Sequence, residues 1–192
     1  MKAIETIYNG YRFRSRSEAR WAVFFDALGI KYQYEPEGYT FPDSTMYLPD
    51  FYLPNSNTFF EVKGVMSNRD MTKINNLIKH SGKNVAIGYP DMSFQATSLY
   101  LMDANGNDCM DYNLDYKDCS WLIKCNNCHE YQFIGSLGSW QCRGCGHYDG
   151  DTGYSFCCPG DWTEQSFQKP SEVELDAFEK AKQARFEQGA CG

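Results

Sequence analysis

Residues 47–63 read Tyr-Leu-Pro-Asp-Phe-Tyr-Leu-Pro-Asn-Ser-Asn-Thr-Phe-Phe-Glu-Val-Lys. Two β-prone runs flank a Pro-Asn-Ser-Asn cluster, which predicts a hairpin with its loop at residues 54–57. Pairing Leu53 with Thr58 sets the register, and that register places Asp50 opposite Glu61. Side chains alternate faces along a strand, so Lys63 shares the face of Glu61 while Phe51 and Phe60 meet on the other. Two carboxylates and an amine then stand on one side of a largely apolar ribbon. Opposed Cβ atoms in such a ladder lie about 5 Å apart, close enough for two carboxylates to share a divalent cation. The alternative is the solvated face of an ordinary hairpin.

On the N-terminal side, residues 4–13 predict a small hairpin around Asn9-Gly10, a strong two-residue turn signal. A helix follows, capped by Ser15 or Ser17 and stopped by Gly29. Its interior, Trp21-Ala-Val-Phe-Phe-Asp-Ala-Leu, is apolar nearly all round and predicts burial on more than one side. Glu18, Trp21, Ala22 and Phe25 share one helical face, so a carboxylate points where the aromatic rings point. Residues 31–34 read as a strand. Beyond the hairpin, Ser67 and Asp70 resemble a capping box for a helix carrying Met71, Ile74, Leu77 and Ile78 and ending at Gly82. Residues 85–88 and 98–102 are strand candidates. The order helix, three strands, helix, then one or two strands predicts an α/β fold, a mixed β-sheet flanked by helices.

The chain has 192 residues, of which 42% are hydrophobic, enough for one ordinary domain with a small appendage. The longest apolar run, near residues 21–28, is interrupted by Asp26 and is too short to span a bilayer, and the N-terminus lacks the apolar core of a signal peptide. No membrane partner is expected, and the expected compartment is the cytosol. The net charge of −7 argues against a protein that coats nucleic acid nonspecifically. Arg12, Arg14, Arg16 and Arg20 nevertheless form a local basic cluster around Glu18. They could make a steered phosphate contact or simply solvate the start of a helix. Residues 103–118 are acidic and rich in Asn and Asp, a plausible domain boundary.

Nine cysteines without an export signal point to metal ligation rather than disulfides. Cys125-Asn-Asn-Cys128 and Cys142-Arg-Gly-Cys145 have the spacing of a four-cysteine zinc ribbon, and Gly146 permits a tight second knuckle. Residues 131–134 and 139–141 predict the short hairpin between the knuckles. A closed four-thiolate site has no open position, so this zinc is expected to be structural. From residue 170 the chain turns helical again, with Ser171 and Glu174 in a capping-box pattern. The expected division is a first domain over residues 1–105, a zinc ribbon over 119–160 and a C-terminal helix over 170–189.

An acidic pair beside a lysine suits phosphodiester hydrolysis. A divalent cation on two carboxylates polarises the scissile phosphate and lowers the pKa of a bound water, while the amine orients or deprotonates the nucleophile. Mg²⁺ prefers oxygen ligands and takes one or two carboxylates from a protein. Glu18, on a neighbouring helix, could complete this site or assist a second one.

Pro49-Asp50, a ten-residue spacer and Glu61-Val62-Lys63 resemble the signature of the PD-(D/E)XK nuclease superfamily, with Glu18 in the place of its first-helix acid. Pro42-Asp43 and Pro90-Asp91 lack this context, since neither lies in a strand in register with Glu61. The stretch from Tyr8 to Asp26, and Gln183-Ala-Arg-Phe-Glu near the end, are also similar to small members found on phages and mobile elements. With DNA the expected substrate and endonuclease action favoured over exonuclease action, neither of which the match itself fixes, the resemblance implies a restriction-endonuclease-like core of order α-β-β-β-α-β and a metal-dependent nuclease. It implies Mg²⁺, or Mn²⁺, on Asp50, Glu61 and the backbone carbonyl of Val62, with Lys63 on the water and Glu18 assisting. Arg12, Arg14, Arg16 and Arg20 would hold phosphates. The alternative is a noncatalytic binding protein on the same fold, such as a phage-borne antagonist or a subunit of a larger assembly, meeting a protein partner through its acidic surface.

Overall fold

The computed structural model describes residues 4–90, 92, 99–102, 121–134, 142–147 and 172–186. Strands β1 (Thr6–Tyr8) and β2 (Tyr11–Phe13) pair as an antiparallel hairpin. Asn9 at φ 47° and Gly10 at φ 80° supply the two left-handed residues that a tight hairpin turn of this kind needs. Helix α1 (Arg16–Leu28) starts at Ser15, whose hydroxyl accepts from the Glu18 N–H, and ends at Gly29, at φ 69°. Ile30 N–H reaches back to the Phe25 carbonyl at 2.8 Å and seals that end.

The central sheet contains β3 (Gln33–Tyr34), β6 (Phe51–Leu53), β7 (Thr58–Val62), β8 (Asn84–Gly88) and β9 (Leu99–Met102), in the order β3-β6-β7-β8-β9. Only β7 and β8 run parallel, and helix α2 (Asn68–Ser81) makes the crossover that parallel neighbours require. A separate pair, β4 (Tyr39–Thr40) with β5 (Met46–Tyr47), is inserted between β3 and β6. The hairpin register is Leu53 to Thr58, Tyr52 to Phe59 and Phe51 to Phe60. Its loop is a single 3-10 turn over Pro54–Ser56, closed by Asn57 at φ 49°. The protein is thus a mixed α/β structure with helices on both faces of a mixed sheet.

Strand alternation sorts the core into two clusters. Phe51, Leu53, Phe60 and Ala86 face α1, while Phe59, Val85 and Ile87 face Ile74, Leu77 and Ile78 of α2. Helix α1 is buried on two sides: Trp21 packs 4.8 Å from Phe60, ring to ring, and Phe24 packs 4.2 Å from Phe178. Phe178 belongs to α3 (Glu172–Gln183). At Gly88 the backbone comes so close to α1 that a Cβ would stand 2.7 Å from Trp21 Cε2 and closer still to Phe60 Cζ.

Strands β10 (Trp121–Lys124) and β11 (Tyr131–Ile134) pair with each other across the first cysteine knuckle. The sequence predicts a partner for β11 at residues 139–141, which lie outside the described residues. The β10 partnership has a local cause, because the turn that closes around Cys125 brings the β-prone run before it alongside the run after it. Leu122, Tyr131 and Phe133 join Ala177, Phe178 and Ala181 of α3 in the same cluster as α1 and the sheet. The described parts of the three expected units therefore share one hydrophobic core. Helix α3 stops at Gln183, short of the expected residue 189, and the chain then places Phe186 6.1 Å from the Tyr8 ring. The proposed cap Ser171 and the acidic stretch 103–118 lie outside the described residues. Among the described residues no helix is long and apolar enough to cross a membrane.

Candidate active site and candidate metal centre

The hairpin register carries one step past the ladder and brings Asp50 against Glu61. The Asp50 N–H donates to Glu61 Oε1 at 3.2 Å, and Asp50 Oδ2 accepts from the Val62 N–H at 2.8 Å. A side-chain oxygen thus fills a place that a strand carbonyl would take. Glu61, fully buried, holds its other oxygen for two donors: Tyr47 Oη at 2.6 Å and Lys63 Nζ at 3.0 Å. Lys63 is anchored by its own N–H on the Gly88 carbonyl, 2.9 Å away, so β8 fixes the height from which its side chain leaves the sheet. In a strand the N–H and C=O of one residue point to the same side, so the Val62 carbonyl faces the same side as the N–H that reaches Asp50.

Glu18 is buried in the first turn of α1 and reaches this group through Arg14. Its Oε2 accepts from the Arg14 N–H at 3.0 Å and from Tyr34 Oη at 2.7 Å, while its Oε1 accepts from Ser15 Oγ at 2.8 Å. Arg14 then extends its guanidinium to Asp50 Oδ1 at 2.6 Å and to Glu35 Oε1 at 2.7 Å. Among the four arginines of the basic cluster, Arg14 is the one whose described contacts lie in this site. Arg12 pairs with Glu5 at 3.3 Å on the surface, Arg16 is exposed and Arg20 is half-buried. Sequence reading missed Tyr47, Tyr34 and Glu35. The signals were close at hand: Tyr47 opens the quoted segment, Tyr34 ends the first strand of the sheet and Glu35 follows it.

Burial raises the Asp50 carboxyl well above the ordinary range, and the neighbouring Glu61 and Glu18 charges add to the rise, against the opposing pull of Lys63 and the Val62 N–H. Burial works to lower the Lys63 pKa, but attraction to Glu61 and Asp50 outweighs it and the ammonium is held more firmly than usual. Lys63 is therefore a charged donor here. Burial and the Glu61 charge likewise raise the Tyr47 phenol, which keeps its proton for Glu61. Counted formally, the four carboxylates Glu18, Glu35, Asp50 and Glu61 face two cations, Arg14 and Lys63. An all-oxygen acidic set with surplus negative charge matches the donor chemistry of a hard divalent cation.

The four cysteines converge on one point. Their sulfur atoms all lie within 4.8 Å of one another, with Cys125 to Cys145 at 3.7 Å and Cys128 to Cys142 at 3.6 Å. Four thiolates at zinc bond length around one ion stand about 3.8 Å apart. The two knuckles repeat one design: His129 N–H to Cys125 O and Gly146 N–H to Cys142 O, at 2.9 and 2.8 Å, with His129 and Gly146 at φ 61° and 73°. Cys125 N–H to Glu130 O and Cys142 N–H to His147 O complete the match. Buried Gln132 donates to Cys142 Sγ at 2.7 Å and accepts from the Arg143 N–H at 3.0 Å. This cluster could hold a structural metal such as zinc, and Gln132 orients one of its ligands.

No protein-family model, curated protein or solved structure matches this chain. The functional reading therefore rests on the residues and their geometry.

Proposed function

We propose that the protein is a metal-dependent nuclease that hydrolyses phosphodiester bonds, with DNA as the favoured substrate, and that its sheet and two flanking helices form a PD-(D/E)XK-like core with an appended zinc ribbon. The observation that carries this reading is the packing of Asp50, Glu61 and Lys63 at adjacent strand ends, with Glu18 joined to them through Arg14. The element order α1, β3, β6, β7, α2, β8 supports it, with β4 and β5 as an insertion.

Asp50, Glu61 and the Val62 carbonyl would hold Mg²⁺ or Mn²⁺. Glu61 Oε1 and Asp50 Oδ2 each accept one backbone N–H and keep a lone pair for a cation, whereas Arg14 occupies Asp50 Oδ1. When bound, the ion supplies Lewis-acid polarisation of the scissile phosphate and a water of lowered pKa. The protein does the positioning. Tyr47 and Lys63 fix the orientation of Glu61, and the Val62 N–H fixes that of Asp50. Lys63, charged and only 20% exposed, orients the attacking water and offsets negative charge that grows on the phosphate. Glu18, held in place by the Arg14 N–H, Tyr34 and Ser15, would supply a further carboxylate for water or metal.

Asp50→Asn and Lys63→Ala should each abolish Mg²⁺-dependent cleavage in a panel of single-stranded, duplex, nicked and branched substrates, with unchanged circular dichroism. Unaltered cleavage by both variants would sink the assignment. A second reading, a noncatalytic binding protein on this fold, is favoured by the net charge of −7 and by the occupation of Asp50 Oδ1 by Arg14. It requires no Asp50-dependent Mg²⁺ uptake, and titration separates the two.

A further inference from the structure

Arg14 holds the most exposed position in the candidate active site. Its side chain is 51% exposed and that of Asp50 only 6%, so the guanidinium covers Oδ1 while itself remaining open to water. The backbone of Arg14 is pinned separately, its N–H shared between Glu18 Oε2 at 3.0 Å and Tyr34 Oη at 2.9 Å. The long side chain can therefore turn without moving its Cα. Its second anchor, Glu35, sits at φ 46°, a left-handed conformation unfavourable for a residue with a Cβ, and its N–H donates to the Asp50 carbonyl at 2.9 Å. The fold accepts that strain at the residue that keeps a carboxylate beside the guanidinium.

We propose that Arg14 and the divalent cation compete for Asp50 Oδ1, and that the displaced guanidinium, retained by Glu35, becomes the clamp for a backbone phosphate of the nucleic acid. This rests on the reading that Asp50 takes a metal. A guanidinium cannot shed its proton at any working pH, so two cations at one carboxylate oxygen separate by movement alone. The planar fork that matches a carboxylate matches a phosphate equally well, so the displaced group finds an equivalent partner on the substrate. Metal loading and phosphate capture are thereby coupled through one side chain.

Calorimetric titration of the full chain with MgCl₂, without nucleic acid, tests the exchange. Arg14→Gln and Arg14→Met should bind Mg²⁺ at least about fivefold more tightly than the unaltered chain, whereas Arg14→Lys, which keeps the charge, should stay near it. Asp50→Asn should remove the uptake. In the unaltered chain the resonance of Arg14 Nη2, the nitrogen that holds Asp50, should shift as Mg²⁺ is added. Asp50-dependent uptake with an unmoved Arg14 signal, or with equal or weaker affinity in both uncharged variants, overturns the competition and leaves the nuclease reading standing. Absence of Asp50-dependent uptake in every chain overturns both.

Discussion

Single residues in this protein are held by contacts that cross the fold. Glu61 is fully buried yet has a donor for each oxygen, and Asp50 is secured by one backbone N–H and one guanidinium. Buried carboxylates left without such partners would cost several kcal/mol each, so the network is part of the fold as well as of the site. Gly88 shows the same economy in packing. Its missing side chain lets β8 lie against Trp21 and Phe60, and Gly88→Ala would force both rings aside. We expect a loss of about 1–3 kcal/mol in urea-induced unfolding, the range for an overpacked core. A stability equal to that of the unaltered chain would show that the rings yield freely.

At the scale of the element, helix caps were legible because their chemistry is local. Ser67 accepts from the Asp70 N–H at 3.2 Å, and Asp70 accepts from the Ser67 N–H at 3.1 Å, the reciprocal pair that starts α2. The Ser67 hydrogen bonds hold the Asp70 carboxyl below its ordinary range. A depressed folded pKa gives stability that is fully present above the unfolded value near 4 and is lost as pH falls through the folded value. Asp70→Asn should therefore destabilise the protein at pH 7, while its difference from the unaltered chain should shrink below about pH 4. Ser67→Ala should cost about 1 kcal/mol at neutral pH. Denaturant midpoints measured across that range check both, and a pH-independent gap would contradict the linkage. The hairpin around residues 54–57 was legible for similar reasons, since turn residues and two-residue alternation set its register. The β10–β11 pair was not, because four residues of Trp-Leu-Ile-Lys carry too little pattern to announce a strand.

For the whole molecule, the cysteine-bearing segment completes the core. Phe133 lies 5.2 Å from Phe60, the residue before Glu61, and a Cβ on Gly144 would stand 3.0 Å from the Asn55 carbonyl in the hairpin loop. The knuckles therefore brace the hairpin that carries the candidate active site. One zinc per chain is expected by elemental analysis. Its removal by chelation, or Cys142→Ser, should lower Tm by about 4–8 °C, corresponding to a loss of about 2 kcal/mol. Thermal melts that do not change on metal removal would rule out this bracing. Phe133→Ala should cost about 3–5 kcal/mol without removing the metal.

Sequence alone determined the turns, caps, hairpin register and metal-ligand spacing, because each depends on residues a few positions apart and on preferences that need no partner elsewhere. It also identified Glu18, Asp50, Glu61 and Lys63 as one candidate group. Tertiary structure decided which partners those residues keep. Arg14 meets Asp50 across 36 positions, and Tyr131 meets Glu174 across 43. Such pairings follow from how the elements stack, and no short window of sequence contains that information. The same packing turned a surface arginine into the partner of a buried carboxylate and drew the cysteine knuckles and final helix into the core beside α1.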